Sequence, residues 1–273
     1  MKFYVWNFEN TLQNIYKYFS FLFRPIPVTE PEILAHNEDI HVRIVKKSSY
    51  TFAEVWIANK FEKSINLNDL GLHGQVYFDN YFGSVSIDPS GENISYIAER
   101  KRANTSSFFR PHTSNEIPGQ EYNYIDDWGE QMLSKSSSVV VILNWKTVTA
   151  NVLNLDPEYC HGNVIYLNSN FLIGTMTKIE SYRLGIVYTT SKPTNIFQVN
   201  VEDPNFLIVL NENIEGLCCR SPRISPDRKT LIWLERDLHH RSHACCLRMK
   251  GMSYVIYCRF NSFKVKETKF QCS

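Results

Sequence analysis

The sequence predicts an all-β fold, a partial β-propeller of about four blades, roughly half of a closed ring. Two stretches 137 residues apart (226 − 89) repeat one design, Ser86-Ile87-Asp88-Pro89-Ser90-Gly91-Glu92-Asn93-Ile94-Ser95-Tyr96 and Arg223-Ile224-Ser225-Pro226-Asp227-Arg228-Lys229-Thr230-Leu231-Ile232-Trp233. Asp88 and Ser225 suit the first position of a type I turn, and Pro89 and Pro226 pre-set φ at the second. The flanking apolar residues read as the two strands that the turn joins. Strand signals also recur in clusters along the chain. A recurring turn-plus-strand unit marks a repeat architecture, and its strand-only content points to propeller blades. Ile87, Ile94, Tyr96, Ile224, Leu231 and Trp233 are then equivalent blade positions, expected to be buried.

Taken in order, residues 1–36 read as an N-terminal extension, 37–250 as the partial propeller and 251–273 as a tail. The first blade begins near Ile40-His41-Val42-Arg43-Ile44-Val45 and continues through 52–58 and 61–67. The second opens with Val85-Ser86-Ile87, crosses the turn into Ile94-Ser95-Tyr96-Ile97, and resumes at Val139-Val140-Val141-Ile142-Leu143 and 148–153. Between its halves lies a polar insertion, residues 102–137. The third blade takes Val164-Ile165-Tyr166, Phe171-Leu172-Ile173, Ile196-Phe197-Gln198-Val199 and 206–210; the fourth takes the second repeat copy, Leu231-Ile232-Trp233-Leu234 and 244–249. Four blades are the minimum of the known range, so the chain is expected to be incomplete.

The formal charge of +1, from 29 basic and 28 acidic side chains, gives no electrostatic grip on nucleic acid or anionic lipid. Neither is expected as a partner. Arg100-Lys101-Arg102 and Arg228-Lys229 follow strands and read as solvated edges. The apolar runs of the N-terminal segment, such as Phe21-Leu22-Phe23, are too short for a signal-peptide core or a membrane helix, so a cytoplasmic location is expected. The seven cysteines are an odd number with adjacent pairs, and most are expected to be reduced residues in or near strands. The sequons at Asn93 and Asn104 read as chance.

No two of the eleven glycines are two, four or five apart. That excludes the dinucleotide fingerprint, the Gly-x-Ser-x-Gly nucleophile elbow and the Walker loop within this chain. No catalytic residue and no cofactor are expected. The densest ligand-like group, His239-His240-Arg241-Ser242-His243-Ala244-Cys245-Cys246, matches no zinc-finger spacing, and Cys245 and Cys246 would point to opposite faces of a strand. It reads as a polar loop entering a strand, with no metal site expected. Asp126 and Asp127 suit capping of the segment from Gly129 to Lys135. Tyr122, Tyr124 and Trp128, three aromatics in a polar insertion, read as a domain or subunit contact.

Several stretches together resemble one family: Glu54-Val55-Trp56 through Ser64-Ile65-Asn66-Leu67, His73-Gly74-Gln75-Val76-Tyr77, Phe82-Gly83, Ala98-Glu99-Arg100-Lys101-Arg102, Ser107-Phe108-Phe109, Asp127-Trp128-Gly129-Glu130-Gln131-Met132, Tyr182-Arg183-Leu184-Gly185-Ile186 and Ser221-Pro222-Arg223-Ile224-Ser225-Pro226-Asp227. Their order and spacing follow the N-terminal β-propeller of acylaminoacyl-peptidase, the acyl-peptide hydrolase of the prolyl oligopeptidase group. The resemblance implies a serine peptidase that releases N-acylated amino acids from short peptides. It further implies an α/β-hydrolase domain as the propeller's partner, N-acylated peptides as indirect ligands, and an oligomer. The triad of that family lies in a part with no counterpart here. The propeller's implied role is to restrict access to the active site. Residues 1–24 and 251–273 depart from the pattern, which implies a truncated chain. The alternative is a stand-alone propeller-like interaction module.

Overall fold

The structure, a computed structural model, describes residues 31–37, 39–102, 109, 118–119, 122–129, 131–183, 186–187, 192–211, 216–237, 248–253 and 266–267. The described residues form strands and one short 3-10 turn, Leu67–Leu70. No helix among them is long and apolar enough to cross a membrane.

The strands fall into four antiparallel blades. Blade one is β1 (Glu32–Asn37), β2 (Ile40–Lys47), β3 (Tyr50–Ile57) and β4 (Lys60–Asn66), paired in chain order. Blade two is β5 (His73–Val76) and β6 (Val85–Ile87), both on one edge of β7 (Asn93–Arg100), then β8 (Ser138–Asn144) and β9 (Thr149–Val152). Blade three is β10 (Tyr159–Tyr166), β11 (Phe171–Lys178), β12 (Thr194–Asn200) and β13 (Leu207–Val209). Blade four is β14 (Leu217–Ile224), β15 (Thr230–Asp237), β16 (Arg248–Ser253) and β17 (Lys266–Glu267). A parallel bridge, Thr194 to Cys218, joins the last two blades into one hydrogen-bonded sheet. The first strands of successive blades neighbour one another, β1 with β6, β6 with β10 and β10 with β14. That succession of neighbouring inner strands is the mark of propeller blades.

Burial follows from the stacking. Along β8, Val139, Val141 and Leu143 pack toward blade one with Val42, Ile44, Val55 and Tyr96. The alternate residues Val140 and Ile142 pack toward blade three with Val164, Leu172 and Phe197. A strand covered on both faces reads as an unbroken apolar run, which is what residues 139–143 show. A third core, Ile173, Ile196, Leu217, Cys219, Leu231 and Trp233, joins blades three and four.

Both repeat copies are the expected turns. The Gly91 N–H donates to the Asp88 carbonyl at 3.0 Å and the Arg228 N–H to the Ser225 carbonyl at 2.8 Å. Asp88 Oδ1 also accepts from the Glu92 and Asn93 N–H groups at 2.9 and 3.1 Å, and Ser225 Oγ accepts from the Thr230 N–H at 2.9 Å. The fourth turn residue is left-handed in both, Gly91 at φ 76° and Arg228 at φ 57°. Glycine suits the positive φ of Gly91, and a Cβ there would meet only the Ile40 side chain, whose terminal methyl can move aside. Arg228 is no solvated edge residue: its guanidinium donates to the Tyr166 and Leu167 carbonyls at 3.1 and 3.0 Å, tying blade four to blade three. Of the six equivalent positions, Ile87, Ile94, Tyr96, Leu231 and Trp233 are buried and Ile224 is half-buried.

Two expected boundaries move. Blade one begins inside the supposed extension, because β1 starts at Glu32. The supposed tail supplies strand as well: β16 runs to Ser253 and pairs with β17 at 266–267. Cys160 is a buried reduced thiol in a strand, as expected, and Cys218 and Cys219 are buried in β14. Asn93 is tied by its side chain to Asp88 within the hairpin, so its sequon is used structurally.

Candidate functional site

Alternating strand direction sends the connections to two ends of the stack. The tight turns at 88–92 and 225–229 lie at one end. The β2–β3 turn, the 3-10 turn, the insertion after β7 and the β11–β12 connection leave the strands at the other. This second end gathers the long loops and is where binding residues are expected on a rigid scaffold.

Its anchor is Glu99, at the end of β7 and only 9% exposed. The carboxylate accepts from the N–H groups of Ser136 at 3.0 Å and Ser137 at 3.1 Å, from Ser136 Oγ at 2.5 Å, and from the Tyr77 hydroxyl. A carboxylate so supplied stays bonded inside a blade interface. Burial, with the Glu99 carboxylate beside it, raises the Tyr77 phenol far above its ordinary range, so the hydroxyl remains a donor. Asp79 holds the neighbouring loop, accepting from the Tyr81 and Phe82 N–H groups at 2.9 and 2.7 Å and pairing with Lys135 at 2.8 Å. Arg183, from the β11–β12 connection, donates to the Ser136 carbonyl at 2.6 Å and stands over the Trp128 ring. Lys192 pairs with Glu180 at 2.9 Å in the same connection.

The three aromatics expected to act together are separated. Tyr122 and Tyr124 are 71% and 86% exposed. Trp128 is fully buried, its ring 5.4 Å from that of Phe82 in the core between blades two and three. Trp128 is therefore a core residue of this chain and no exposed anchor. The reason is Asp127, which caps as expected: its carboxylate accepts from the Gly129 and Ser134 N–H groups at 2.9 and 2.8 Å and turns the chain inward. Leu133, 73% exposed, and Tyr182, 66% exposed, join the two tyrosines among the large apolar side chains that this end presents to solvent.

A cleft of about 560 Å³ opens between blades one and two at the same end, lined by the β2–β3 turn, the 3-10 turn, β5 and Lys135. His73 in its wall is spent structurally. Its Nδ1–H donates to the Gly74 carbonyl at 2.8 Å, which leaves Nε2 to accept from the Tyr96 hydroxyl at 2.7 Å. Burial lowers its pKa, so it is neutral at pH 7. The cleft, Glu99 and Asp79 were missed in the sequence. The one local signal was Glu99 itself, a carboxylate closing an apolar strand.

The His239–Cys246 group lies outside the described residues, apart from which no cluster of three metal-ligating side chains occurs among the described ones. Most of the insertion between 103 and 121 is outside them too. Behind β8, Cys160 is pushed up to about 11 by burial, and His161 is lowered to about 4 by burial. Both sit within the stack.

These features define a bladed β body with a loop-bearing end and no assembled catalytic group among the described residues. Residues 37–246 match the family described as acylamino-acid-releasing enzyme, N-terminal domain, and the chain belongs to that family. It is 31% identical over 216 residues to the mouse acylamino-acid-releasing enzyme, covering 71% of this chain and 29% of that protein. It is 29% identical to the human enzyme over 221 residues, with 72% and 29% covered. The chain thus spans less than a third of the length of these relatives. Among solved structures it is similar to the Pyrococcus horikoshii acylaminoacyl peptidase, with a TM-score of 0.45, 8% identity, and 87% of this chain and 32% of that one covered.

Proposed function

We propose that this chain is the non-catalytic propeller portion of an acylamino-acid-releasing enzyme, restricting which peptides reach an active site held by a hydrolase domain. The family match over residues 37–246 carries the reading. The loop-bearing end, with Tyr122, Tyr124, Leu133 and Tyr182 exposed, supports it as the surface for that domain, because aromatic side chains supply much of the energy of such contacts. The substrates would be short N-acylated peptides, met in the cytoplasm.

The test mixes the purified chain with the separately expressed hydrolase part of the mouse relative. The chain alone leaves N-acetyl-alanine anilide uncleaved and takes no fluorophosphonate label, since its sequence holds no nucleophile elbow. With the hydrolase part it forms a complex that Tyr122→Ala/Tyr124→Ala weakens. Labelling of a serine in the chain alone would refute the non-catalytic role. Absence of any complex would favour the stand-alone module.

A further inference from the structure

We propose that the cleft between blades one and two is a binding site for the free carboxylate end of a short extended peptide. At about 560 Å³ it is the size that encloses a small organic ligand. Among the described residues its charged lining side chains are Lys46 and Lys135, and no described Asp or Glu lines it. Lys135 is paired with Asp79. Lys46 is half-buried, and the ion pairs of blade one pass it by: Arg43 and Lys47 take Glu54, and Arg43 also takes Glu32. His73 contributes no positive charge, being neutral and bonded on both ring nitrogens. Among the described residues, the lining cation without a carboxylate partner is therefore Lys46, with Ser48, Ser49 and Gln75 as further polar groups of the cleft.

One wall explains why the ligand should be an extended backbone. β5 pairs with β7 on one side and with no described strand on the other. The Tyr77 N–H donates to the Ile97 carbonyl at 3.0 Å, so Val76, opposite Ala98, stands at the non-hydrogen-bonded position next to it. The N–H and C=O of Val76, a cleft-lining residue, then point away from β7. An extended peptide can add to that edge through main-chain bonds while its terminal carboxylate meets Lys46. The carboxylate rests on the cleft's own charges, whereas the choice of a peptide rests on the proposed function.

Calorimetric titration of the full chain with N-acetyl-trialanine free acid, its C-terminal amide and acetate tests this. The free acid should bind at least about tenfold more tightly than the amide, and its affinity should fall with added salt. Lys46→Gln should weaken free-acid binding by about fivefold with an unchanged melting temperature, and Lys46→Arg should retain it. Gln75→Glu, at an exposed position, places a carboxylate in the cleft and should weaken binding as well. Equal binding of acid and amide, no binding of either, or indifference to both Lys46→Gln and Gln75→Glu would overturn the proposal. Acetate binding as tightly as the peptide would overturn its peptide part. The titrations use no hydrolase domain, so their failure is distinguishable from failure of the access-restricting role.

Discussion

At the residue scale, the loop-bearing end depends on the buried Glu99 carboxylate, whose partners the chain supplies. Glu99→Gln replaces a carboxylate that accepts from two backbone N–H groups, a serine and a tyrosine. Loss of charge-assisted bonds and one misplaced amide should cost about 2–3 kcal/mol, read as a lower urea midpoint at constant slope. His161 makes the chain acid-sensitive. It is 1% exposed, and burial lowers its pKa from 6.5 to about 4. Because the unfolded chain takes up the proton first, the stabilisation is complete above pH about 6.5 and is lost as the pH falls toward about 4, amounting to about 3 kcal/mol. The lowered pKa of His73 acts in the same direction. His161→Phe should flatten this part of the stability–pH curve. An unchanged curve would mean that groups other than His161 govern acid unfolding.

At the element scale, hairpins were legible in the sequence where turn chemistry and alternation coincide, as at Asp88-Pro89 and Ser225-Pro226. β8 was legible because burial on both faces writes an unbroken apolar run. The inner strands were harder. β1, Glu-Ile-Leu-Ala-His-Asn, is only half-buried at most positions and has no apolar run to mark it. β5, His-Gly-Gln-Val, is a fragment split from β6 by residues 77–84, too short and too polar to read as strand. The same mid-strand interruption occurs in small form in β10 at Gly162/Ile165 and in β14 at Arg220/Arg223. Trp128 was misjudged because its neighbours in sequence are polar, while its neighbours in space are Phe82 and Met132. The cleft left no local trace at all, since its wall comes from five separate segments. Trp128→Ala should therefore cost about 3–5 kcal/mol, like Trp233→Ala in the next interface, whereas Tyr124→Ala should leave stability within about 0.5 kcal/mol. Thermal or chemical unfolding separates these outcomes, and a neutral Trp128→Ala would return that residue to the surface.

At the scale of the whole molecule, three interlocking cores join four blades and put the long connections at one end. That body belongs to the family of the acylamino-acid-releasing enzyme N-terminal domain, and the proposed role is selection of peptides by length. A chimera tests this most directly. Residues 37–246 replace the matching segment of the mouse relative, and cleavage of N-acetylated peptides is measured as they lengthen from three residues to twenty. The account predicts that the chimera cuts the shortest peptides and that its rate falls steeply with length, while the hydrolase part without any propeller loses that discrimination. A chimera that cleaves long and short peptides alike would contradict it.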